Sequence, residues 1–467
     1  MRSTRAVILA ACLGYSMVIL DTTVLNVALP DIAAQTGAGP AEQQWIIDAY
    51  VLAMTALLLA GGGLIDRFGA SRIFRAGVVV FTIASALCAG CDAAWELIAA
   101  RALQGVGGAL LIPAALAVIT QEFHDPAARG KAIAVIATIT ASPQAFGPTL
   151  GGLLVDSLGW RSVFLLNLPI GVATLWFARR LTRSAGHARP LDFPGTALVA
   201  AALGALAYGI IQYTQGGWPA AWFLAALACA IVLAGLFVLV ESRSAGPLLP
   251  AQVMRNAPVM LYTLAGLALF IVFYGSLFAA NLYLQQAAGW SALSAGMALI
   301  AGGFPVFALP ILVAKLAKAV QPWQLTFIGA CVSTAGAVVG VLALGGQAEW
   351  SVIVCLLVVG VGFGVLTAPH LTLAMSVSPA GAAGVVSALA NAGRQSGYLI
   401  GVALVGGAGV SLAGYRQAML ITLTAGVATL VILIAAKLIG RSQAVPKGSP
   451  SPTEATPPGG RDPSLAS

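Results

Sequence analysis

Long apolar segments alternate with short clusters of proline, glycine and charged residues along almost the whole chain of 467 residues. A helix rises roughly 1.5 Å per residue, so about 20 mostly apolar residues are needed to cross about 30 Å of hydrocarbon. Fourteen segments of this kind can be separated, and each is predicted to form a membrane-spanning helix. The predicted spans are 6–29, 43–64, 74–91, 96–119, 132–155, 161–178, 194–213, 220–240, 257–283, 291–313, 324–345, 351–373, 383–408 and 417–437.

The composition agrees with this pattern. Only 8% of the residues are charged and 59% are hydrophobic, whereas a soluble protein carries about 25% charged residues. So few polar side chains cannot cover the surface of a soluble protein, which excludes secreted domains, nucleic-acid-binding proteins and soluble enzymes. The six cysteines lie in apolar stretches, which favours buried thiols over disulfides. The chain is therefore predicted to be an all-α polytopic membrane protein.

The positions of the positive charges predict its orientation. Cytoplasmic connections of membrane proteins are enriched in Lys and Arg. With the N-terminus inside, nearly all of the 23 basic residues fall in predicted cytoplasmic segments, while Arg161 and Arg416 are external and Arg101 and Arg394 lie within spans. Removing one span would invert every later connection. We therefore expect a multi-pass protein of the bacterial inner membrane with both termini in the cytoplasm.

Four blocks of sequence in the first half follow one another in consecutive predicted helices. They occupy 20–30 (LDTTVLNVALP), 45–50 with 62–69 (WIIDAY, GGLIDRFG), 101–108 (RALQGVGG) and 147–152 with 160–171 (GPTLGG, WRSVFLLNLPIG). In this order they resemble the motifs of the major facilitator superfamily, and in particular its fourteen-helix drug:proton antiporter branch, the EmrB/QacA-like exporters. Residues 391–397 (NAGRQSG) resemble a late-helix pattern of the same family more loosely.

The resemblance implies two six-helix bundles related by a pseudo-twofold axis, with an inserted helix pair between them. The corresponding divisions are 1–180, 181–256 for the inserted pair, and 257–438, followed by a disordered cytoplasmic tail at 439–467. The resemblance also assigns roles to two motifs. A gating loop would contain Gly62, Asp66, Arg67, Gly69 and Arg72, and an antiporter motif would contain Gly147, Pro148, Gly151 and Gly152.

Three charged residues fall inside predicted spans of the first bundle. Asp21 lies roughly 13 Å from the external end of its span, and Asp48 and Arg101 lie about 8 Å into theirs. Ionisable groups in hydrocarbon are retained mainly where they face a cavity or a partner. We expect Asp21 to be the leading proton-carrying carboxylate, Asp48 a second, and Arg101 a cation whose movement loads and unloads the proton. Helix–helix hydrogen bonding is the alternative for Asp21, and both roles remain open for Asp48.

A further set of side chains is expected to line a substrate cavity. Arg394, roughly 17 Å into span thirteen, has the alternative role of bonding backbone carbonyls around Gly393 and Gly397. His370 is expected to be a hydrogen-bonded histidine, with titration near neutrality as the alternative. The residues assigned to the cavity are Asn26, Gln104, Tyr274, Asn281 and Arg394.

Together these features predict proton-coupled efflux of drugs or other amphipathic or cationic organic compounds. A proton-coupled importer and a membrane-embedded enzyme are the alternatives. No ATP-binding loop is recognisable, and three well-separated histidines offer no metal site, so no cofactor or metal is expected. The expected partners are a small organic substrate, protons and the lipid bilayer, with no nucleic acid and no indication of a periplasmic adaptor.

Overall fold

A computed structural model describes residues 2–123, 125–182, 192–215, 217–244, 247–317, 319–343, 348–379 and 382–443. These residues form helices and their connections, and no strand occurs among them. The helices are α1 (Arg2–Thr36), α2 (Pro40–Phe68), α3 (Ala70–Gly90), α4 (Ala94–Glu122), α5 (Pro126–Leu158), α6 (Arg161–Leu165), α7 (Asn167–Ala178), α8 (Phe193–Thr214), α9 (Ala220–Arg243), α10 (Ala251–Met254), α11 (Ala257–Leu282), a π-helical turn (Tyr283–Ala287), α12 (Ala292–Leu316), α13 (Pro322–Val341), α14 (Ala348–Ser376), α15 (Ala383–Gly406) and α16 (Leu412–Gln443).

Eleven helical segments among the described residues are long and apolar enough to cross a membrane. A twelfth is counted when the two parts of α2, Pro40–Leu58 and Ala60–Phe68, bent by 55°, are taken as one span. Helices α5 and α15 have 33 and 24 residues and lie where spans five and thirteen were predicted, but they are not among the eleven. The all-helical polytopic architecture is thus confirmed, and the number fourteen stays a prediction.

Several helices extend beyond their predicted ends, as α1 does to Thr36 and α5 from Pro126, and the predicted span 161–178 is divided into α6 and α7. Two further differences concern a connection and the tail. The connection between the second and third spans, expected over 65–73, is reduced to Gly69, which has a φ of +86°. A left-handed φ of this kind suits glycine because it has no Cβ. At the other end of the chain, α16 continues to Gln443, past the predicted start of the tail at 439, and residues 444–467 lie outside the described residues.

The first seven helices pack as one group around α1 and α4. Helices α2 and α3 both pack against α4, and α1 contacts α4, α5 and α7. Close crossings depend on small residues: a Cβ at Gly107 of α4 would lie 2.7 Å from the backbone nitrogen of Phe81 in α3. Such residues let membrane helices approach closely. The result is a dense set of helices, here called the N-terminal half.

Helices α11 to α16 form a second group, here called the C-terminal half. In it α11 packs against α14, α15 and α16, while α13 packs against α14 and α16. The two halves meet along α5 with α12 and along α2 with α15. Helices α8 and α9 pack against each other, and α8 also contacts α2 and α15, so the pair lies beside a contact between the halves.

Candidate functional site

The buried centre of the N-terminal half holds an ion pair between α1 and α4. Arg101 Nη1 donates to Asp21 Oδ2 at 2.5 Å, and the residues are 1% and 2% exposed. The same guanidinium donates through Nε to the carbonyl of Ile46 in α2 at 3.1 Å and lies 4.2 Å from the centre of the Tyr50 ring. One arginine therefore ties three helices together around the carboxylate of Asp21.

Neutral side chains complete the hydrogen bonding of Asp21. Its Oδ1 accepts from Gln104 Nε2 at 2.7 Å and from Asn167 Nδ2 at 3.0 Å. Both amides also reach the hydroxyl of Ser85 in α3, at 2.9 and 3.3 Å. Asp21 is thus held as a paired and hydrogen-bonded group by residues of α3, α4 and α7, the arrangement that makes a buried ion tolerable.

Asp48 of α2 lies in a different environment. It is fully buried, and within the described part of the chain neither of its carboxyl oxygens has a hydrogen-bond partner. At about 100° per residue, Asp48 projects from the side of α2 opposite to Ile46 and Tyr50, which contact Arg101. Its own side carries Gln44, whose Nε2 donates to carbonyls of α15. Asp48 therefore faces the C-terminal half, whereas Asp21 and Arg101 lie inside the N-terminal half.

A small cavity lies between the halves. It encloses about 10 Å³, which is room for about one water molecule and far below the roughly 300–1,000 Å³ of drug-sized sites. In the described conformation this cavity has no room for a drug-sized molecule. The cavity is lined by Thr23, Asn26, Gln144, Pro148, Tyr274, Leu277 and Leu299.

Hydrogen bonds join the halves beside this cavity. Asn281 Nδ2 donates to the carbonyl of Asn26 at 2.6 Å, and Gln285 Nε2 donates to that of Val27 at 3.1 Å. The backbone N–H of Leu293 donates to Asp156 Oδ2 at 3.1 Å. These contacts involve the C-terminal ends of α1, α5 and α11 and the N-terminal end of α12. By the predicted topology, this is the external side.

The glycines of the 147–152 block lie where α5 contacts both α1 and α12. A side chain at Gly147 would meet the hydroxyl of Thr23, and one at Gly151 would meet Val24. A side chain at Gly152 would meet the carbonyl of Ala292 in the other half. Pro148 of the same block borders the cavity. The block therefore permits close packing within the N-terminal half and between the halves.

The 62–69 block forms the end of α2 and its connection to α3. Gly62 lies in the bent terminal part of α2, with nothing within 4 Å of a Cβ at its position. Asp66 and Arg67 occupy the last turn of α2, Gly69 is the connecting residue, and Arg72 lies in the first turn of α3. Their gating role stays a prediction.

The residues assigned to the cavity are distributed over three places. Asn26 and Tyr274 border it, and Asn281 contacts Asn26. Gln104 belongs instead to the hydrogen-bonded group around Asp21. Arg394 of α15 donates to the carbonyl of Thr367 in α14 and not to carbonyls beside Gly393 or Gly397.

Several functional side chains were missed by the sequence reasoning. Thr23 and Gln144 line the cavity, Asn167 bonds Asp21, and the Tyr398 ring stacks on that of Tyr274 at 4.2 Å. Thr23 and Asn167 lie in recognised blocks, which was the available signal for them. Gln144 and Tyr398 have no spacing that separates them from ordinary helix residues.

Comparison with known proteins identifies the family. The model of the Major Facilitator Superfamily matches residues 11–198 and 193–402. The chain is 35% identical over 407 residues to the methylenomycin A resistance protein of Bacillus subtilis (strain 168), with 86% of each chain covered. It is 34% identical over 423 residues to the cephamycin export protein CmcT of Amycolatopsis lactamdurans, covering 86% of this chain and 84% of that one.

A solved structure agrees in fold. The crystal structure of the peptide transporter POT in complex with sulfate superposes with a TM-score of 0.71, at 16% identity and 94% coverage of both chains. These similarities exclude the membrane-embedded enzyme considered above. The chain belongs to the Major Facilitator Superfamily and is a multi-pass membrane transporter.

Proposed function

We propose that this protein exports small organic compounds in exchange for protons, by exposing one cavity alternately to the two sides of the membrane. Two relatives are named for antibiotic resistance and for export of an antibiotic. Those names favour export over the proton-coupled import that the fold would also allow. Drugs or other amphipathic or cationic compounds are the proposed cargo, and the protein is proposed to belong to the fourteen-helix drug:proton antiporter branch of its family.

The observation that carries the proton coupling is the unpaired carboxyl group of Asp48. A charged carboxylate at the centre of a membrane costs roughly 2.5–3.5 kcal/mol on insertion scales, and more when it has no partner. The described conformation, in which both oxygens of Asp48 are buried and unbonded, therefore suits the neutral acid. We propose that Asp48 takes up a proton when the halves separate on the external side. Asp48 would then carry the proton toward the cytoplasm when that side closes.

The proposed direction of exchange is based on the contact between the halves at the predicted external side. Gln44, four residues before Asp48 on the same face of α2, bonds α15 at the predicted external side. An outward-opening movement would separate these helices and hydrate Asp48. Protonation then permits closure, and release of the proton to the cytoplasm lets the inward-facing cavity take its next substrate. Proton and substrate are thereby linked through the conformation that each favours.

Asp21 and Arg101 are proposed to support this cycle as a pair. Because Arg101 also bonds the carbonyl of Ile46, the pair fixes α2 relative to α1 and α4. A proton on Asp21 would weaken the pair and free Arg101, so Asp21, expected from the sequence to be the leading proton carrier, becomes the second proton-binding position in the proposal. It ranks below Asp48 because its charge is already compensated.

The remaining assignments are proposed from the motifs and from helix packing. The 147–152 block is proposed to hold the closed contact of α5 with α12, and the 62–69 block with Arg72 to act as a cytoplasmic gate. The proposed division is 1–180, 181–256 and 257–438, with a tail at 439–467. The distribution of basic residues supports an inner-membrane location with both termini in the cytoplasm.

The proposal is tested with purified protein in sealed liposomes that carry a fluorescent drug and a pH gradient. Wild-type protein is expected to move the drug only while the gradient lasts, and to stop when a protonophore is added. Asp48→Asn, which copies the shape of the neutral acid, is expected to lose gradient-driven transport while remaining folded. Asp31→Asn, a polar substitution near the end of α1, serves as the control and is expected to transport normally. Equal transport with and without the gradient would refute proton coupling.

A further inference from the structure

The C-terminal half contains a buried cation beside the cavity, at Arg394 of α15. This residue is 8% exposed, and its Nη2 donates to the carbonyl of Thr367 at 2.9 Å and to Nδ1 of His370 at 3.1 Å. Its Nε has no hydrogen-bond partner within the part of the chain that the structure describes. Arg394 therefore keeps an unused donor in a largely buried position.

The contact with His370 orients Arg394 but does not neutralise it. His370 Nε2 lies 2.8 Å from the carbonyl oxygen of Tyr262, so Nε2 must carry the hydrogen. Nδ1 is then the acceptor for Arg394, and the imidazole is neutral. The contacts on both sides of Arg394 are thus neutral acceptors. Among the described residues, no carboxylate forms an ion pair with it.

A buried arginine of the N-terminal half shows the contrast. Arg101 is buried to a similar extent, and it has the carboxylate of Asp21 at 2.5 Å. Buried charges are ordinarily paired, because an unpaired ion loses its hydration without compensation. Of the two arginines, Arg394 is the one for which the described part of the chain provides no counterion.

Aromatic rings connect Arg394 to the cavity. The guanidinium carbon lies 5.7 Å from the centre of the Phe270 ring, which lies 5.5 Å from that of Tyr274. Tyr274 borders the cavity and stacks on Tyr398, one turn beyond Arg394 on α15. The cation and the cavity are therefore adjacent positions along one face of α11 and α15, about one helical turn apart.

The N-terminal half approaches the same place. Gln395, the residue after Arg394 on α15, has its Nε2 3.7 Å from the sulfur of Met54 in α2, so this part of α15 lies beside the N-terminal half. If the two halves separated beside Arg394, its guanidinium would become accessible to a compound in the cavity. A molecule there would meet a cation at one end and an aromatic surface beside it.

We propose that Arg394 binds an anionic group of the transported compound, so that the substrates include aromatic carboxylic acids. This inference rests on the proposed export function and names its substrate class. The carboxylate would accept from the unused Nε and from the adjacent Nη2, where it would replace one of the two neutral acceptors that Nη2 contacts in this conformation. The apolar body of the acid would lie on Phe270, Tyr274 and Tyr398. Cationic drugs, which the sequence favoured, would be repelled from this position.

Binding to the purified full-length protein tests the inference. The probes are a panel of aromatic carboxylic acids, from naphthoate to dansyl-phenylalanine, each paired with its methyl ester, together with the cation dansylcadaverine. We expect the acids to bind at least about tenfold more tightly than their esters, as removal of a charged hydrogen bond predicts. Arg394→Gln is expected to abolish this preference. Arg416→Gln, which removes another arginine bonded to a backbone carbonyl of the same half, is expected to retain it.

Arg394→Lys provides a second variant if the glutamine variant does not fold. Lysine keeps the charge but cannot offer two parallel donors, so acids should bind more weakly and still better than esters. The inference is overturned if no acid in the panel binds, if esters bind equally well, or if Arg394→Gln keeps the preference. Gradient-driven export of a dye without acid binding would leave the proposed function intact, whereas Arg394-dependent acid binding without gradient-driven export would leave only the anion site.

Discussion

Gln44 and Asp48 lie one turn apart on the same face of α2, and they meet the C-terminal half in opposite ways. Gln44 Nε2 donates to the carbonyls of Val402 and Ala403, each at 3.3 Å, whereas neither oxygen of Asp48 finds a partner in the described chain. One residue thus stabilises the closed contact between α2 and α15, and the next polar position on that face can oppose it when charged. The contact between the halves is therefore a place where charge and conformation are linked.

The first prediction concerns the pH dependence of this contact. Above the pH at which Asp48 loses its proton, a buried carboxylate opposes closure, so the external ends of the halves should separate as pH rises. Spin labels at the exposed positions Leu158 and Val410, in a cysteine-free background, report the separation. Wild-type protein is expected to show more of the longer distance at pH 8 than at pH 5. Asp48→Asn should show the shorter distance at both values, and a pH response retained in this variant would contradict the role of Asp48.

The second prediction concerns Gln44. Gln44→Ala removes the hydrogen bonds to α15, which contribute about 0.5–1.5 kcal/mol in all. The population with separated external ends should therefore rise about 2- to 10-fold, measured with the same two labels. Gln43→Ala, one position along, loses only a bond to Ala38 in its own half and should behave as wild type. An unchanged distance distribution in Gln44→Ala would show that this contact does not hold the halves together.

The third prediction compares a buried ion pair with an exposed one. Asp21→Ala leaves the buried Arg101 without its counterion, which costs ~3–5 kcal/mol of stability. Asp92→Ala removes the partner of Arg161 from a pair at 2.7 Å whose carboxylate side chain is 90% exposed, a change worth ~0–1 kcal/mol. Thermal melting in detergent should show a clear loss for Asp21→Ala and almost none for Asp92→Ala. Similar melting temperatures for the two variants would mean that the Asp21 pair is not a structural support.

The fourth prediction concerns the contact between α5 and α12. Gly152→Val places a side chain against the carbonyl of Ala292, and overpacking of this kind costs ~1–3 kcal/mol. Because the strain exists only while α5 and α12 are in contact, the closed conformation should become less populated and drug export should slow. Gly235→Ala in α9, where a Cβ has open space, is the control. Transport by Gly152→Val at the wild-type rate would show that this packing is not required.

Much of the fold could be predicted because hydrocarbon sets a simple requirement on length and polarity. Helix α8, for example, spans Phe193–Thr214, within one residue of the predicted 194–213 at each end. Helix α9 begins at Ala220 as predicted and ends at Arg243, three residues after the predicted end at 240. The turn at Gly69 was harder, because apolar content does not show where a helix bends or reverses. Residues 65–73 were predicted to form the connection, whereas α2 continues to Phe68.

The site was predicted only in part. The position of a residue along a helix gives its depth in the membrane but not the direction in which its side chain points. Depths of roughly 13 and 8 Å put Asp21 and Arg101 in the same outer half of the first bundle, and in the structure they form an ion pair. The same argument placed Asp48 with them, whereas the turn of α2 directs it toward the other half. Lining residues such as Gln144 depend on how α5 crosses α12, which no single segment encodes. The unpaired state of Arg394 is likewise visible only when all of its neighbours are known.

The position of α8 gives the inserted pair a mechanical significance. Tyr208 of α8 lies 6.1 Å from Trp45 of α2, measured between ring centres, and Gln215, just after α8, bonds the carbonyl of Gly406 in α15. When α2 and α15 move apart, α8 must either lose its contacts with one of these helices or change position with them. Its companion α9 has only Ala230, Phe237 and Glu241 buried, so most of its surface has no contact with the rest of the described chain. We therefore expect a change in bilayer thickness to reach the contact between α2 and α15 through α8 and α9.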